Sequence, residues 1–586
     1  MCRIAGIIGA HQQQNNIEIF RDAMSHGGPD DRGLFIDAAN HIALGHRRLS
    51  LIDLSEAGHQ PMFDDEQQIV LVFNGEIYNF HTLKSQLQQK GYTFRSHSDS
   101  EVIIYAYKHW GADCFRLFNG MFALALYDVA NKKIMLARDH AGIKPLYFAL
   151  YKQQFFFASE IRAFKTLNPD WPVNEQWKIP FLAFGHLPEP FTTLQHVQPL
   201  AKGNVLELNV KDLSYKINPF QQFQYKYAIA DEGEAVLQVR QKLKAAVQRH
   251  LISDAPIGLF LSGGIDSSLL TIIAKNFVGE QLKTLSIVFE DEKFSEKMYQ
   301  DIIIQQTKAH HESFVVTGKI FEDSLQDILN AMDQPSTDGI NSYFISKYAK
   351  EYGLKAVLSG LGADELFGGY PSFYKTDLVK QLKQLPAFIL KNASLLPNDK
   401  LKRISFLQQK ENIVAQYLFN RGFFTPKQIS KMLYCSEDEV WRILLKMYLP
   451  DANDLYDEQE KVSFLETNLY MQNQLLKDTD YMSMWHSVEV RVPFLDKELM
   501  QLAYSIHPGI KFNQQQKKHL LIKAFKDELP EAIWKRPKQG FTFPFEKWMY
   551  KIQLGRPDTF NDQLRLKLKE GKIHWSKYWA YQLVNR

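Results

Sequence analysis

Over the first two hundred residues, short runs rich in apolar positions are set off by clusters of turn residues, the pattern of successive strands. Segments 34–37, 41–44, 69–74, 121–128, 133–136 and 155–158 read as such strands, with Gly-Gly-Pro-Asp, Asn-Gly and Asp-Val-Ala-Asn-Lys in their turns. Segment 4–10 is mostly apolar but short, with one flanking Arg3, and reads as a buried strand rather than a signal peptide. Helical spacing marks 80–90 and 100–110. The pattern predicts stacked antiparallel sheets with flanking helices.

From 188 to about 230 the periodicity weakens. This predicts a domain over 2–205, a connection over 206–233 and a second domain over 234–586. A helix begins near Glu234, with Val236, Val239, Leu243, Val247 and Leu251 at helical spacing. Strand candidates 257–261, 284–289, 312–316 and 354–358 then alternate with helical stretches 266–276, 294–309, 319–331 and 341–351. That order predicts a doubly wound parallel sheet with ligands at the carboxyl ends of its strands. After Tyr370 the chain reads as helical to about 480, its charge runs as solvated faces.

A chain of 586 residues exceeds one ordinary core, which agrees with this division. Lys plus Arg exceed Asp plus Glu by 69 − 66 = 3, so charge gives no argument for nucleic acid or an anionic membrane. Three cysteines exclude a disulfide framework, and no run approaches the roughly 20 apolar residues of a membrane span. We therefore expect a soluble, cytoplasmic protein acting on small molecules; a homodimer is left open.

Both glycine-bearing loops fall at strand ends. In Ser262-Gly263-Gly264-Ile265-Asp266-Ser267-Ser268, the glycines let the backbone approach a ligand, and the N–H groups of a helix start favour phosphate oxygens. A bare Gly-Gly would read as a capped turn; the full pattern between strand and helix reads as a pyrophosphate cradle. No Gly-Lys-Ser/Thr follows, unlike the phosphate loop of kinases and GTPases. The second loop, 359–370, carries Asp364. With Asp266 it supplies two candidate magnesium ligands, although Asp364-Glu365 alone would read as an acidic helix start. The first loop resembles that of the ATP-pyrophosphatase enzymes, which cut ATP between its α and β phosphates.

Cys2 becomes the N-terminus if Met1 is removed. An α-amine of pKa roughly 7.7–8.0 can then take its thiol proton. Polar clusters follow at Gly45-His46-Arg47-Arg48-Leu49-Ser50, Asn74-Gly75-Glu76, Ser98-Asp99-Ser100-Glu101 and Arg138-Asp139-His140. Singly these read as a surface charge, a hairpin turn or a helix cap. With Cys2 they resemble the N-terminal-nucleophile glutaminase domain of class II glutamine amidotransferases, an α+β fold built as an αββα sandwich. The resemblance implies Cys2 as nucleophile, Asn74 and the Gly75 N–H as oxyanion hole, and a glutamine site of Arg48, Leu49, Ser50, Asn74, Gly75, Glu76 and Asp99. Arg48 would hold the α-carboxylate, and Asp99, helped by Glu76, the α-ammonium. Where the family has His-Arg-Gly-Pro-Asp, this chain has His26-Gly27-Gly28-Pro29-Asp30.

The two glycine loops, Asp333-Gln334-Pro335-Ser336, the segment Glu489 to Asp496 and the segment Arg536 to Phe541 together resemble the synthetase domain of glutamine-hydrolysing asparagine synthetases, an α/β doubly wound domain with a helical C-terminal part. The resemblance implies ATP contacts from Leu261, Ser262, Gly263, Gly264, Asp266, Ser267, Ser268, Ile287, Ser359 and Gly360, magnesium at Asp266 and Asp364, and Lys538 neutralising pyrophosphate or the acyl-adenylate. Glutamine hydrolysed at Cys2 would send ammonia internally to an AMP-activated carboxylate. Aspartate leads as that carboxylate. Leu361, however, stands where asparagine-forming members usually carry an acid, so a sugar uronate or a natural-product acid stays open. A phosphoribosyl-type amidotransferase conflicts with Ser262–Ser268, and a non-catalytic storage or scaffold protein conflicts with retention of the whole residue set.

Overall fold

The computed structural model describes residues 2–586 apart from 10–13, 291–295, 448, 450–454, 456, 514, 537–542 and 556–557. Twelve strands lie in the first part. They are β1 Arg3–Ile8, β2 Asp31–Asp37, β3 Ile42–Arg48, β4 Met62–Phe63, β5 Ile69–Ile77, β6 Gly120–Asp128, β7 Lys133–Arg138, β8 Tyr147–Tyr151, β9 Gln154–Ala158, β10 Val197–Pro199, β11 Asn204–Asn209 and β12 Tyr215–Pro219. They form two six-stranded sheets, β10-β8-β9-β1-β3-β2 and β12-β11-β7-β6-β5-β4.

Strand alternation builds the layers. Ile4 and Ile8 of β1 and Val70 and Val72 of β5 meet in the core between the sheets. Ala5 and Ile7 face the other way, against helices Gln14–Asp22 and Ile161–Leu167. Ile69, Leu71 and Phe73 likewise pack on helices Phe80–Gln89 and Asp99–Trp110. The result is the expected αββα sandwich, with β1 central and its first residues at the heart of the domain.

The stretch 206–233, read above as a connection, begins inside the second sheet. β11 pairs with β7 and β12 with β11. Leu206 and Leu208 are fully buried between the sheets, but β12 is an exposed edge whose polar residues hide the strand period. Phe223 and Tyr225 then pack on Tyr504 of the second half, and Ile229 is bridged to Ile506.

There, β13 Ile257–Phe260, β14 Lys283–Val288, β15 His310–Val315, β16 Ala356–Leu358 and β17 Glu489–Arg491 form one parallel sheet ordered β15-β14-β13-β16-β17. The chain winds outward from β13 in both directions, so the loops after neighbouring β13 and β16 flank a crevice at the switch point. Those are the two glycine loops. The remaining chain is mainly helical, including a π-helix, Glu466–Leu476, that runs into helix Lys477–Trp485.

The halves meet through buried charge. Asp480 pairs with Arg3 at 2.9 Å and with Lys144 at 2.5 Å, and Arg491 reaches Glu76 at 3.2 Å. Asp333 accepts from the backbone N–H of Ile161 and Arg162 at 2.7 and 2.8 Å, capping a helix of the first half from the second. Among the described residues no helix is long and apolar enough to cross a membrane, and the three cysteines are free.

Candidate active sites

Cys2 sits at the start of β1, 8% exposed. It shares a cavity of about 30 Å³ with Arg48, Leu49, Gly75, Glu76 and Asp99. Each wall is held by the fold. Ladder pairing of β5 with β6 brings Gly75 so close that a Cβ there would lie 2.1 Å from the Met121 carbonyl oxygen, which requires glycine. Asn74 accepts the Cys2 backbone N–H on its Oδ1 at 3.2 Å. Its Nδ2 is buried without a hydrogen-bond partner, a costly arrangement unless a ligand completes it. The Arg48 guanidinium donates to the carbonyls of Asp53 (2.5 Å) and Ser55 (3.0 Å), which fixes its plane. Ser50 stands outside the cavity wall and donates its N–H to Asp30 at 2.8 Å.

Asp99 opens helix Asp99–Trp110, whose cap is Ser98. It accepts the Ile77 N–H at 2.8 Å. Burial raises its carboxyl to about 6, against that hydrogen bond and the nearby Arg491. Burial also raises Glu76, opposed by Arg491 and reinforced by the neighbouring Glu489 and Asp99 carboxylates. The Cys2 thiol is raised by burial as well, opposed by the amino terminus, the Leu49 N–H and Arg48. A thiol held neutral in this way needs a base beside it before it can attack.

The second site is a cavity of about 320 Å³ at the switch point. Leu261, Ser262, Gly264, Asp266, Ser267, Ile287, Ser359, Gly360 and Asp364 line it, as does Leu361. Two expected ATP contacts do not. Gly263 makes the turn at φ +73° against Tyr299. Ser268 is fully buried inside helix Ile265–Val278, because one step along a helix turns a side chain about 100°. Lys538 lies outside the described residues.

Lys518, which no motif marked, joins the two loops. Its Nζ lies 2.5 Å from Asp266 Oδ2 and 2.6 Å from Asp364 Oδ1, and these two carboxylates hold its pKa above the ordinary lysine range. Both acids thus converge on one cation. Two carboxylates on one cation are a donor set that would also suit magnesium beside phosphate; among the described residues no group of three or more His, Cys, Asp or Glu is placed to hold a metal.

Beside Leu361, burial raises Glu365 to about 7, and Tyr370 donates to it at 2.6 Å. Past Asn341 the site continues into a cavity of about 230 Å³ bearing Asp338, Arg421, Tyr470 and Trp575. Arg421 pairs with Glu466 at 2.5 Å and lies 3.6 Å over the Tyr470 ring. A small cavity of about 10 Å³, lined by Ile143, Lys144, Leu476, Thr479, Asp480 and Val490 among others, shares Thr479 and Val490 with the nucleotide cavity.

Residues 1–221 match the family model for a glutamine amidotransferase domain, and residues 238–567 match that for asparagine synthase. The chain is 31% identical over 563 residues to asparagine synthetase [glutamine-hydrolyzing] 1 of Bacillus subtilis, covering 94% of this chain and 88% of that one. It is 29% identical over 552 residues to a putative glutamine-hydrolysing asparagine synthetase of Mycobacterium tuberculosis, covering 90% and 83%. It is also 28% identical over 607 residues to Amidase chry2 of Gibberella zeae, covering 92% and 86%. With an amidotransferase domain built around Cys2 and a synthase domain built around the two glycine loops, the chain belongs to the glutamine-hydrolysing asparagine synthetase family and is a glutamine-dependent amidotransferase of the carbon–nitrogen ligase type.

Proposed function

We propose that the acceptor is aspartate and the product asparagine. The observation that carries this reading is the placing of Asp338 and Arg421 in the cavity beyond the nucleotide site. A zwitterionic amino acid needs one fixed anion and one fixed cation. In this reading Glu365 supplies the acid that Leu361 lacks. A second acceptor class is favoured by the apolar Leu361 and by the aromatic wall of that cavity: a bulkier carboxylic acid, such as a sugar uronate or a natural-product acid. Pyrophosphate release with ATP, magnesium and glutamine, run against aspartate and a panel of such acids, decides between them. Release with aspartate supports the first reading; release only with a bulkier acid overturns it.

In the first step, the amine of Cys2, freed by loss of Met1, takes the thiol proton as sulfur attacks the glutamine amide. Asn74 Nδ2 and the Gly75 N–H meet the oxyanion. Arg48, at the end of β3, holds the α-carboxylate, Asp99 and Glu76 the α-ammonium, and Leu49 and Ser50, which follow it, complete the glutamine site. Ammonia leaves, and water frees glutamate. At the second site the acceptor carboxylate displaces pyrophosphate from ATP, and ammonia then displaces AMP from the acyl-adenylate, releasing a proton. Ser262, Gly264, Ser267, Ser359 and Gly360 cradle the nucleotide, and Lys518 and Lys538 balance the departing pyrophosphate. Magnesium held by Asp266 and Asp364 would neutralise phosphate oxygens. The small cavity beside Thr479 and Val490 supports an internal route for ammonia, and the three free cysteines agree with a cytoplasmic setting.

The Asp99 carboxyl must be ionised to face an ammonium. Because the Cys2 amine, at roughly 7.7–8.0, must be neutral to act as base, log kcat/KM for glutamine is expected to fall with a slope of about one below that range and of about two below about 6, where Asp99 is protonated as well. A glutaminase pH profile measures this, and Asp99→Asn should lower activity and leave the slope near one down to the lowest pH. A wild-type slope that stays near one through about 6 would show that Asp99 does not carry the ammonium.

A further inference from the structure

Gly27 stands where the family pattern has arginine, yet its backbone does not need glycine: its φ is outside the left-handed region. What excludes a side chain is Arg3. A Cβ on Gly27 would lie 2.8 Å from both Arg3 Cγ and Arg3 Nε. Arg3 is completely buried. Its Nε donates to Glu160 at 2.6 Å and its Nη1 pairs with Asp480 of the second half at 2.9 Å. Glu160 also takes His26, the neighbour of Gly27, at 3.0 Å, and Arg162 at 2.6 Å.

We propose that Arg3 is the positioning residue of the glutaminase site, delivering from β1 the guanidinium that the pattern delivers from position 27, and that through Asp480 it ties the attitude of Cys2 to the synthetase half. Successive strand residues face opposite ways, so a fixed Arg3 fixes the direction in which Cys2 points. The tie continues along helix Lys477–Trp485. Asp480 also holds Lys144 at 2.5 Å, and its neighbour Thr479 lines the nucleotide cavity. Cys2 and the nucleotide site are therefore joined by one buried ion cluster, Arg3, Glu160, Asp480 and Lys144, across the small cavity beside Thr479. A buried cluster of this kind holds its geometry because moving one partner strands the charge of the others.

The test compares Arg3→Met, Arg3→Gly and the exchange Arg3→Gly with Gly27→Arg in the full chain. Three quantities are read: glutaminase kcat and KM without acceptor, glutamate formed per pyrophosphate, and ammonia-dependent pyrophosphate release. Arg3→Met is expected to lower glutaminase kcat about 10- to 100-fold, the scale of a misplaced reacting group, with glutamine KM changed far less. It should also raise the glutamate-to-pyrophosphate ratio severalfold while ammonia-dependent release stays within twofold. The exchange should return kcat to within about threefold of wild type, where Arg3→Gly alone does not. Should Arg3→Gly fail to fold, Arg3→Met, which keeps the stem, carries the test. A folded Arg3→Met with wild-type kcat and ratio, or a folded exchange no better than folded Arg3→Gly, overturns the proposal. The glutaminase arm needs no acceptor, so the absence of aspartate-dependent pyrophosphate in wild type would strike the acceptor reading and leave this one standing.

Discussion

Cys2→Ala is expected to abolish glutamine hydrolysis, by at least about 10³-fold, and with it glutamine-dependent amide synthesis, while ammonia-dependent synthesis survives. Burial raises the thiol pKa, and in the proposed reading the group that takes its proton is the amine of the same residue once Met1 is lost. The nucleotide cavity includes neither Cys2 nor any other residue of that first pocket, so its chemistry should run on supplied ammonia. A residue retained in front of Cys2 should have the same effect as the substitution, because it converts the amine into an amide that cannot act as base. Glutamate release and ammonia-dependent pyrophosphate release, measured on Cys2→Ala and on a variant with an uncleaved N-terminal extension, check both statements. Glutaminase persisting in the extended form would show that another group serves as base.

Asp364→Asn is expected to reduce pyrophosphate formation by at least about 10²-fold with either nitrogen source, while glutaminase without acceptor is retained. Asp364 and Asp266 come from loops that follow neighbouring strands and meet at one cation, Lys518. Removing one carboxylate charge leaves that ammonium with half of its balance and would leave a magnesium ion bound there with one protein ligand. The loss should fall mainly on kcat, because the cations that Asp364 positions would balance phosphate charge that moves during transfer. Steady-state pyrophosphate assays with varied ATP and magnesium measure it. A change below threefold at saturating magnesium would remove Asp364 from the metal site.

What the sequence disclosed follows from the range of the physics involved. The cradle Ser262–Ser268 was legible because strand, turn and helix start are contiguous, whereas the strand runs alone gave stacked sheets with flanking helices and the αββα layering came from the resemblance: β1 is apolar on both faces, so only the fold separates Ile4 and Ile8 from Ala5 and Ile7. β17 was not legible: its three residues include Glu489 and Arg491, whose burial depends on their pairing with each other and on Glu76 from the first half. β12 escaped as an exposed edge strand. Ser268 was assigned to ATP by the motif, whereas helical rotation turns it away. Lys518 carried no local signal, since its partners lie 252 and 154 residues away in the chain. Arg3 was read only as a charge beside an apolar run; its meaning depends on Gly27 and Asp480, which only the fold brings together.

The central claim is that nitrogen from glutamine opened at Cys2 reaches the acceptor inside the protein. The most direct measurement is the mass of the product formed from aspartate, ATP, magnesium and glutamine labelled with ¹⁵N in its amide, in the presence of excess unlabelled ammonium. The account predicts asparagine one mass unit heavy, with AMP and pyrophosphate in equal amount. Asparagine of ordinary mass would contradict internal transfer, and no asparagine at all would contradict aspartate as the acceptor.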